Sequence, residues 1–305
     1  MATGSERLLA HLAMLLFAAL IAGSFTFGAM AVPHLAPVPL NAVRFVLAAL
    51  LMGVVALALG RQRLVLPPAP WRFAINGGLM AIYFVTMFIA LTMTLPVATS
   101  AVYTLVPLMT AVAAFFLVGQ RSGPMVLLSL VVAGAGAIWV IFRGDVQALL
   151  RFDIGRGELV YFVGCIAHAI YTPLLRRFGR GETALQLSLW TLTATAAWIV
   201  AWGLPEILAT DWLALPPVVW WVVLYLAIGP TAICFFLIQF AAQRLPATKT
   251  IAYGYLVPAF VIVFEGLVGH GWVSLSVVAG AAVTILGLVV LAAVKEPAPK
   301  VVPPG

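Results

Sequence analysis

The sequence predicts an all-α integral membrane protein of ten transmembrane helices, arranged as two inverted five-helix repeats with both termini in the cytoplasm. Three observations predict this fold: the apolar composition, ten long apolar stretches, and a set of short motifs that occurs twice. Hydrophobic residues make up 64% of the 305 residues and charged residues 8%. Because about a quarter of the residues in soluble proteins are charged, the composition indicates a membrane protein.

The apolar stretches match the thickness of a bilayer. A hydrocarbon core of about 30 Å requires roughly 20 apolar residues in a helix. The stretches lie at about residues 8–30, 38–59, 71–93, 96–118, 123–142, 157–175, 183–203, 216–242, 246–269 and 272–294. Cys165 and Cys234 both fall inside these spans, where a thiol behaves as a small buried hydrophobe. We therefore expect no disulfide and no redox chemistry.

The loop charges predict the orientation, because Lys and Arg in short loops remain on the cytoplasmic side during insertion. With ten spans and a cytoplasmic N-terminus, the basic residues on the cytoplasmic side are Arg7, Arg61, Arg63, Arg72, Arg121, Arg176, Arg177, Arg180, Arg244, Lys249, Lys295 and Lys300. The opposite side holds Arg143, Arg151 and Arg156, which are offset by Asp145, Asp153 and Glu158. The net charge of +7 is thus a topology signal, and no nucleic-acid motif accompanies it.

Several short motifs of the first half return in the second half, the first at an offset of 150 residues and the last at 146. The pairs are Leu95-Pro96 with Leu245-Pro246, Leu105-Val106-Pro107 with Leu256-Val257-Pro258, Leu117-Val118-Gly119 with Leu267-Val268-Gly269, and Val131-Val132-Ala133-Gly134-Ala135 with Val277-Val278-Ala279-Gly280-Ala281. Five spans per half is an odd number, so residues 151–294 should enter the membrane the other way up from residues 1–150. Inverted repeats are typical of transporters; duplication for packing alone is the alternative. The proline-rich segment 295–305 is expected to be a disordered tail.

Motifs along the whole chain resemble one transporter family. They are Gly23-Ser24-Phe25-Thr26-Phe27, Pro39-Leu40-Asn41-Ala42-Val43-Arg44-Phe45, the repeated Leu-Pro, Val-Pro and Leu-Val-Gly motifs, Gly229-Pro230-Thr231-Ala232 and Leu245-Pro246-Ala247. This order resembles the EamA-type members of the drug/metabolite transporter superfamily, and among them the exporters of aromatic and other hydrophobic amino acids. The resemblance implies a multi-pass protein of the bacterial inner membrane with a cavity near the bilayer midplane. Gln120 and His270 replace an acidic residue that this family often has.

Polar side chains recur at three- and four-residue steps on the spans that the resemblance places around the cavity. On span six, Glu158, Tyr161, Cys165, His168 and Thr172 share one helical face. Polar groups inside hydrocarbon face protein or water, although hydroxyls and amides also join helices without binding a solute. The predicted substrate-binding residues are Asn76, Tyr83, Thr99, Tyr103, Tyr161, His168, Gln239, Lys249 and Tyr253.

The character of these residues suggests the substrate. The spans contain no Lys/Arg cluster suited to a phosphorylated sugar and no carboxylate ring suited to a polyamine or a metal ion. A neutral, aromatic-rich cavity fits an amino acid with an apolar side chain. Lys249 either contacts the substrate carboxylate or extends to the cytoplasm, and His168 is either a neutral core histidine or a proton carrier. We predict no metal and no cofactor.

Arg44 and Glu265 are the charges that lie most clearly inside spans, about one to two turns from the outer surface. A lone charge in a helix centre costs several kcal/mol. Pairing with each other or contact with the outer vestibule would reduce that cost. We therefore predict that both belong to the outer closure, as gating or structural charges.

The predicted function is export of aromatic and other hydrophobic amino acids by alternating access. Two alternatives remain: the same scaffold exporting a drug, nucleobase or other metabolite, and a membrane enzyme or assembly factor. The spans contain no Ser/His/Asp set, metal cluster or paired carboxylates at helical spacing, which argues against an enzyme. The expected partners are a small-molecule substrate and the lipid bilayer, and the expected state is a monomer.

Overall fold

A computed structural model describes residues 4–58, 67–120, 123–151 and 154–293, in which all regular structure is helical. The helices are α1 (Gly4–Ala31), α2 (Pro37–Ala58), α3 (Trp71–Leu91), α4 (Pro96–Tyr103), α5 (Val106–Val118), α6 (Pro124–Ile141), α7 (Val146–Arg151), α8 (Arg156–Phe178), α9 (Ala184–Ala209), α10 (Pro217–Leu226), α11 (Cys234–Ala242), α12 (Ala247–Ala252), α13 (Val257–Val268) and α14 (Leu275–Ala293). The predicted tail 295–305 and the loop charges Arg61, Arg63, Arg121 and Asp153 lie outside the described residues.

Eight helical segments of the described chain are long and apolar enough to cross a membrane. They are Ser5–Ala31, Pro37–Ala58, Trp71–Leu91, Pro96–Val118, Pro124–Ile141, Arg156–Phe178, Ala184–Ala209 and Pro217–Ala242. Two shorter apolar segments follow, Tyr253–Val268 and Leu275–Leu291. Large apolar side chains such as Trp202 and Phe116 are exposed on the outer surface, which suits contact with lipid. The protein is a multi-pass, all-helical membrane protein.

The repeated Leu-Val-Gly motif ends a helix in both halves. Gly119 after α5 has φ 65° and Gly269 after α13 has φ 90°, a left-handed conformation that favours glycine. The amide that follows each glycine bonds back to its helix: Gln120 N donates to the Ala114 carbonyl at 3.1 Å, and His270 N donates to the Glu265 carbonyl at 3.0 Å. The motif therefore serves the same purpose, a helix stop, in each copy.

Three of the predicted spans are interrupted helices. Span four is divided into α4 and α5, span eight contains a π-helical segment at Ala227–Ile233, and span nine contains a 3-10 turn at Tyr253–Leu256. Proline lacks an amide donor and crowds the preceding turn, and Pro107, Pro230 and Pro258 lie at these three interruptions. The π-helix, a feature that is frequent at functional sites, has no counterpart among the sequence predictions.

The helices of the two halves pack in matching pairs. Helix α8 packs along α3, while α1 packs along α10, the π-helical segment and α11; α2 packs against α9, and α6 packs against α14. The last pair is in very close contact, since a Cβ atom on Gly136 would lie 2.7 Å from the Gly280 carbonyl oxygen. The small residues of the fifth and tenth spans therefore allow close approach of the two helix backbones.

Arg72 joins the start of α3 to the end of α8, two ends that the loop charges predict to be cytoplasmic. Its buried guanidinium donates to the Pro68 carbonyl at 2.7 Å, to the Phe178 carbonyl, and to Glu182 Oε1 at 2.6 Å. Burial raises the pKa of the Glu182 carboxyl, but hydrogen bonds from Arg72 and from the Arg180 backbone amide outweigh it and leave the pKa below its ordinary value. The carboxylate form of Glu182 is thus favoured in the folded protein.

Glu182→Gln is expected to lower the apparent Tm by about 2 °C near pH 7, as about 1 kcal/mol does in a chain this large. The stabilisation from a carboxyl with a depressed pKa is present above its unfolded pKa of about 4.3 and is lost as pH falls through the folded pKa. The difference between wild type and variant should therefore vanish at low pH. Thermal unfolding in detergent from pH 3 to 7 measures this, with the exposed Glu206→Gln as control. A difference that persisted unchanged at pH 3 would contradict the prediction.

Candidate functional site

Four of the predicted site residues form one buried aromatic cluster. Tyr83 on α3, Tyr103 on α4, and Tyr161 and His168 on α8 are all buried. The Tyr161 hydroxyl donates to the Tyr83 hydroxyl at 3.0 Å, and the His168 ring lies 4.5 Å from the Tyr83 ring and stacks on Tyr103 at 5.6 Å between centroids. The Tyr103 hydroxyl and His168 Nδ1 are buried without a hydrogen-bond partner. The cluster therefore keeps polar atoms available next to aromatic faces.

A small cavity, the central cavity, lies beside this cluster, with walls from α1, α3, α8, the π-helical segment and α11. Its lining residues are Phe17, Ile21, Met80, Tyr83, Phe84, His168, Tyr171, Pro230, Cys234, Phe235 and Ile238. The volume is about 20 Å³, which is room for about one water molecule. An amino acid does not fit, so this cavity is closed in the structure.

Gln239 does not line this cavity but forms a hydrogen bond to a residue that does. Its Nε2 donates to the Tyr171 hydroxyl at 3.2 Å, and Tyr171 lines the cavity. This bond joins α8 to α11 and sets the direction of the Tyr171 hydroxyl. Gln239 therefore positions a wall residue, and Tyr171 is a site residue that the predicted set lacks.

The polar face of α8 is buried over its whole predicted length, from Glu158 to Thr172. At the start of the helix, Thr94 donates to Glu158 Oε1 at 2.6 Å, while Glu158 Oε2 is buried without a partner. A second cavity of about 260 Å³ lies here, and its lining includes Arg143, Asp145 and Glu158. This cavity is at the end of α8 that the loop charges predict to be outside, so one helical face contributes residues to both cavities.

Arg44 and Glu265 have separate partners and do not pair with each other. Arg44 on α2 is fully buried, and its Nε donates to Thr231 Oγ1 at 2.6 Å. Glu265 on α13 accepts a bond from His270 Nδ1, 3.0 Å from its Oε2. The helix stop at Gly269 turns His270 back onto Glu265, which explains this local pair. The role of Glu265 in an outer closure stays a prediction.

Seven of the nine predicted site residues do not line the central cavity. Tyr103 and Tyr161 belong to the adjacent aromatic cluster and Gln239 bonds to a lining residue, which leaves Thr99, Asn76, Lys249 and Tyr253. Thr99 is buried and its hydroxyl donates to the Leu95 carbonyl of its own helix at 3.1 Å. Asn76 is buried one turn before Met80, with its Oδ1 atom unpartnered. Lys249 is half-buried, and Tyr253 shares a 2.8 Å hydrogen bond with His11 Nδ1. Lys249 interacts electrostatically with the same histidine, so His11 of α1, Lys249 of α12 and Tyr253 of the 3-10 turn after α12 form one group.

The sequence prediction missed the apolar wall residues that α1 contributes. Phe17 and Ile21 of α1 line the cavity, and Phe25, one turn further, contacts Tyr103 and Tyr161 at centroid distances of 6.4 and 5.9 Å. Their four-residue spacing places them on one helical face. In a helix that is apolar on every side, however, such spacing does not separate a face that lines a cavity from a face that contacts lipid.

The described residues contain no group of three or more His, Cys, Asp and Glu side chains placed to hold a metal ion. Cys165 and Cys234 are both free and buried, and Cys234 lines the central cavity. The polar atoms at the site are therefore phenolic hydroxyls, an imidazole and a thiol. These groups suit recognition of a solute by hydrogen bonds and ring contacts.

Comparisons with known proteins give a consistent result for both halves. The model of the EamA-like transporter family matches residues 8–142 and 155–293. The chain is 25% identical over 201 residues to the uncharacterized transporter YyaM of Bacillus subtilis (strain 168), a match that spans 66% of each chain. A protein of known crystal structure superposes with a TM-score of 0.72 at 22% identity, covering 95% of this chain and 98% of the other. This last similarity shows the fold alone.

Proposed function

The chain belongs to the EamA-like transporter family, and from this premise we propose that it exports aromatic and other hydrophobic amino acids by alternating access. The observation that carries the proposal is the composition of the central cavity. Ring faces and aliphatic side chains from both halves surround it, and its polar groups are neutral hydroxyls, an imidazole and a thiol. Such a lining suits an apolar side chain with one polar end.

The packing of the helices supports alternating access. In an inverted repeat, exchange of the two halves' conformations converts an outward-open state into an inward-open one. If residues 151–294 repeat residues 1–150, a contact between α3 and α8 implies an equivalent contact of α1 with α10 and α11. Both contacts are present. The interruptions at α4 and α5, at the π-helical segment and before α13 lie in helices around the cavity, where they allow small changes of helix angle. The closed central cavity then corresponds to an intermediate between the two open states.

Flux from liposomes tests the proposal. Purified protein is reconstituted into liposomes of bacterial inner-membrane lipids loaded with labelled phenylalanine, tryptophan or leucine, or with an unrelated cationic drug. We expect efflux of the three amino acids well above that of protein-free liposomes, with little efflux of the drug. Efflux of the drug alone would indicate drug export in place of amino-acid export. Absence of efflux of all four compounds would contradict both functions.

A further inference from the structure

Arg44 is a fully buried cation held in a fixed orientation. Its Nε donates to Thr231 Oγ1 at 2.6 Å, and its Cζ lies 4.4 Å from the centroid of the Phe84 ring. The Thr231 hydroxyl in turn donates to the Leu226 carbonyl at 2.6 Å, so its oxygen is set to accept from Arg44. Thr231 belongs to the π-helical segment, a backbone irregularity of the kind that is frequent at functional sites.

The two terminal nitrogens of the Arg44 guanidinium, which form a fork, have no hydrogen-bond partner in the described part of the chain. Nη1 and Nη2 are both buried and neither has an acceptor. In the described part of the chain, the two salt bridges are Arg72 with Glu182 and His270 with Glu265, and neither includes Arg44. Two parallel N–H groups on a planar fork match the two oxygens of a carboxylate. The missing partner has the shape and charge of a small organic anion.

Arg44 is also next to the central cavity. Phe84, on which the guanidinium lies, is a lining residue of the cavity. Thr231 directly follows the lining residue Pro230. A displacement of the π-helical segment during opening would bring the fork to the cavity. A solute whose apolar part lies against Met80, Phe235 and Ile238 would then have its acidic end at Arg44.

We propose that Arg44 binds the carboxylate of the transported solute, so that the substrates are apolar monocarboxylates, amino acids among them. This inference rests on the proposed function and assigns its specificity to one side chain. It differs from the prediction that Arg44 is a charge of the outer closure. Contact with Phe84, Phe45 and Phe88, whose ring centroids lie 4.4 to 5.4 Å from Cζ, explains how the cation is tolerated between transport events.

Thermal stabilisation of the purified protein by three related ligands tests the inference. Phenylalanine has a carboxylate and an ammonium group, 3-phenylpropionate has only the carboxylate, and phenethylamine has only the ammonium group. We expect the first two to stabilise the wild type at concentrations about 10- to 100-fold lower than phenethylamine requires, the range that a hydrogen-bonded charge contributes. Equal stabilisation by phenethylamine, or none by either carboxylate, would overturn the inference without any variant.

Variants then assign the preference to Arg44. In Arg44→Gln the carboxylates should lose their advantage, while Arg44→Lys should restore part of it, because lysine keeps the charge without the fork. Arg244→Gln is the matched control, since Arg244 also lies over a phenylalanine ring, 3.7 Å from the Phe240 centroid, but Phe240, unlike Phe84, does not line the cavity. A carboxylate preference that survives in Arg44→Gln would overturn the inference. Carboxylate stabilisation of the wild type without flux in liposomes would instead contradict the proposed export and leave Arg44 as a carboxylate site.

Discussion

Replacing Gly136 with alanine is expected to destabilise the protein by about 1–3 kcal/mol, the cost of overpacking a close contact, and to reduce the yield of folded protein. The added Cβ would lie 2.7 Å from the Gly280 carbonyl oxygen, 2.7 Å from Thr284 Oγ1 and 2.9 Å from the Thr284 amide nitrogen. Two of these three atoms belong to the backbone of α14, so the helices must separate. Thermal unfolding in detergent and the fraction of monodisperse protein measure the effect.

Gly134→Ala is the matched control, on the same helix and two residues before Gly136. A Cβ on Gly134 meets only Leu108 Cδ2, at the ordinary distance of 3.9 Å. Alanine is also preferred over glycine inside a helix by about 0.5–1 kcal/mol, so this variant should be as stable as the wild type or slightly more stable. Equal stability of the two variants would show that the contact between α6 and α14 does not determine the stability of the fold.

The apolar spans could be predicted from sequence because span length depends on the thickness of the bilayer and little else. Each apolar segment of the structure overlaps a predicted stretch, and the largest overrun is six residues, at the end of Ala184–Ala209. The π-helical segment at Ala227–Ile233 could not be predicted, because Pro230 requires only that one hydrogen bond be lost and does not determine how the neighbouring turns respond. The short helix Val146–Arg151 also lacked a periodic signal.

Polarity marks some of the residues that line the central cavity in the sequence and leaves others unmarked. Tyr83 and His168 are rare polar side chains within apolar helices, and both line the central cavity. Phe17 and Ile21 line it equally, but nothing in their sequence neighbourhood separates them from lipid-facing residues. Arg44 was recognised as a buried charge, whereas its contact with Thr231, 187 residues away, depends on the packing of α2 against the π-helical segment. Spacing along one helix carries no information about contacts of that kind.

Cys234 is expected to report opening of the central cavity. Its side chain is 1% exposed, and its thiol points toward the Phe17 carbonyl at 3.8 Å. A maleimide cannot enter a cavity of about 20 Å³, so modification requires an open state. In a Cys165→Ala background, we expect slow labelling of Cys234 and loss of amino-acid efflux in proportion to the labelled fraction. Phenylalanine at about ten times its Kd should slow the labelling about tenfold, because occupied protein is protected by mass action.

The other cysteine supplies the control for this experiment. Cys165 is as buried as Cys234 but is not a lining residue of the cavity, so Cys234→Ala protein should label much more slowly and keep its efflux after treatment. Equal labelling rates of the two cysteines would indicate general unfolding in place of a specific opening. A membrane-impermeant reagent distinguishes the transport mechanisms further, because alternating access exposes the cavity to each side in turn. Labelling of Cys234 from one side of the liposome only, throughout turnover, would contradict alternating access.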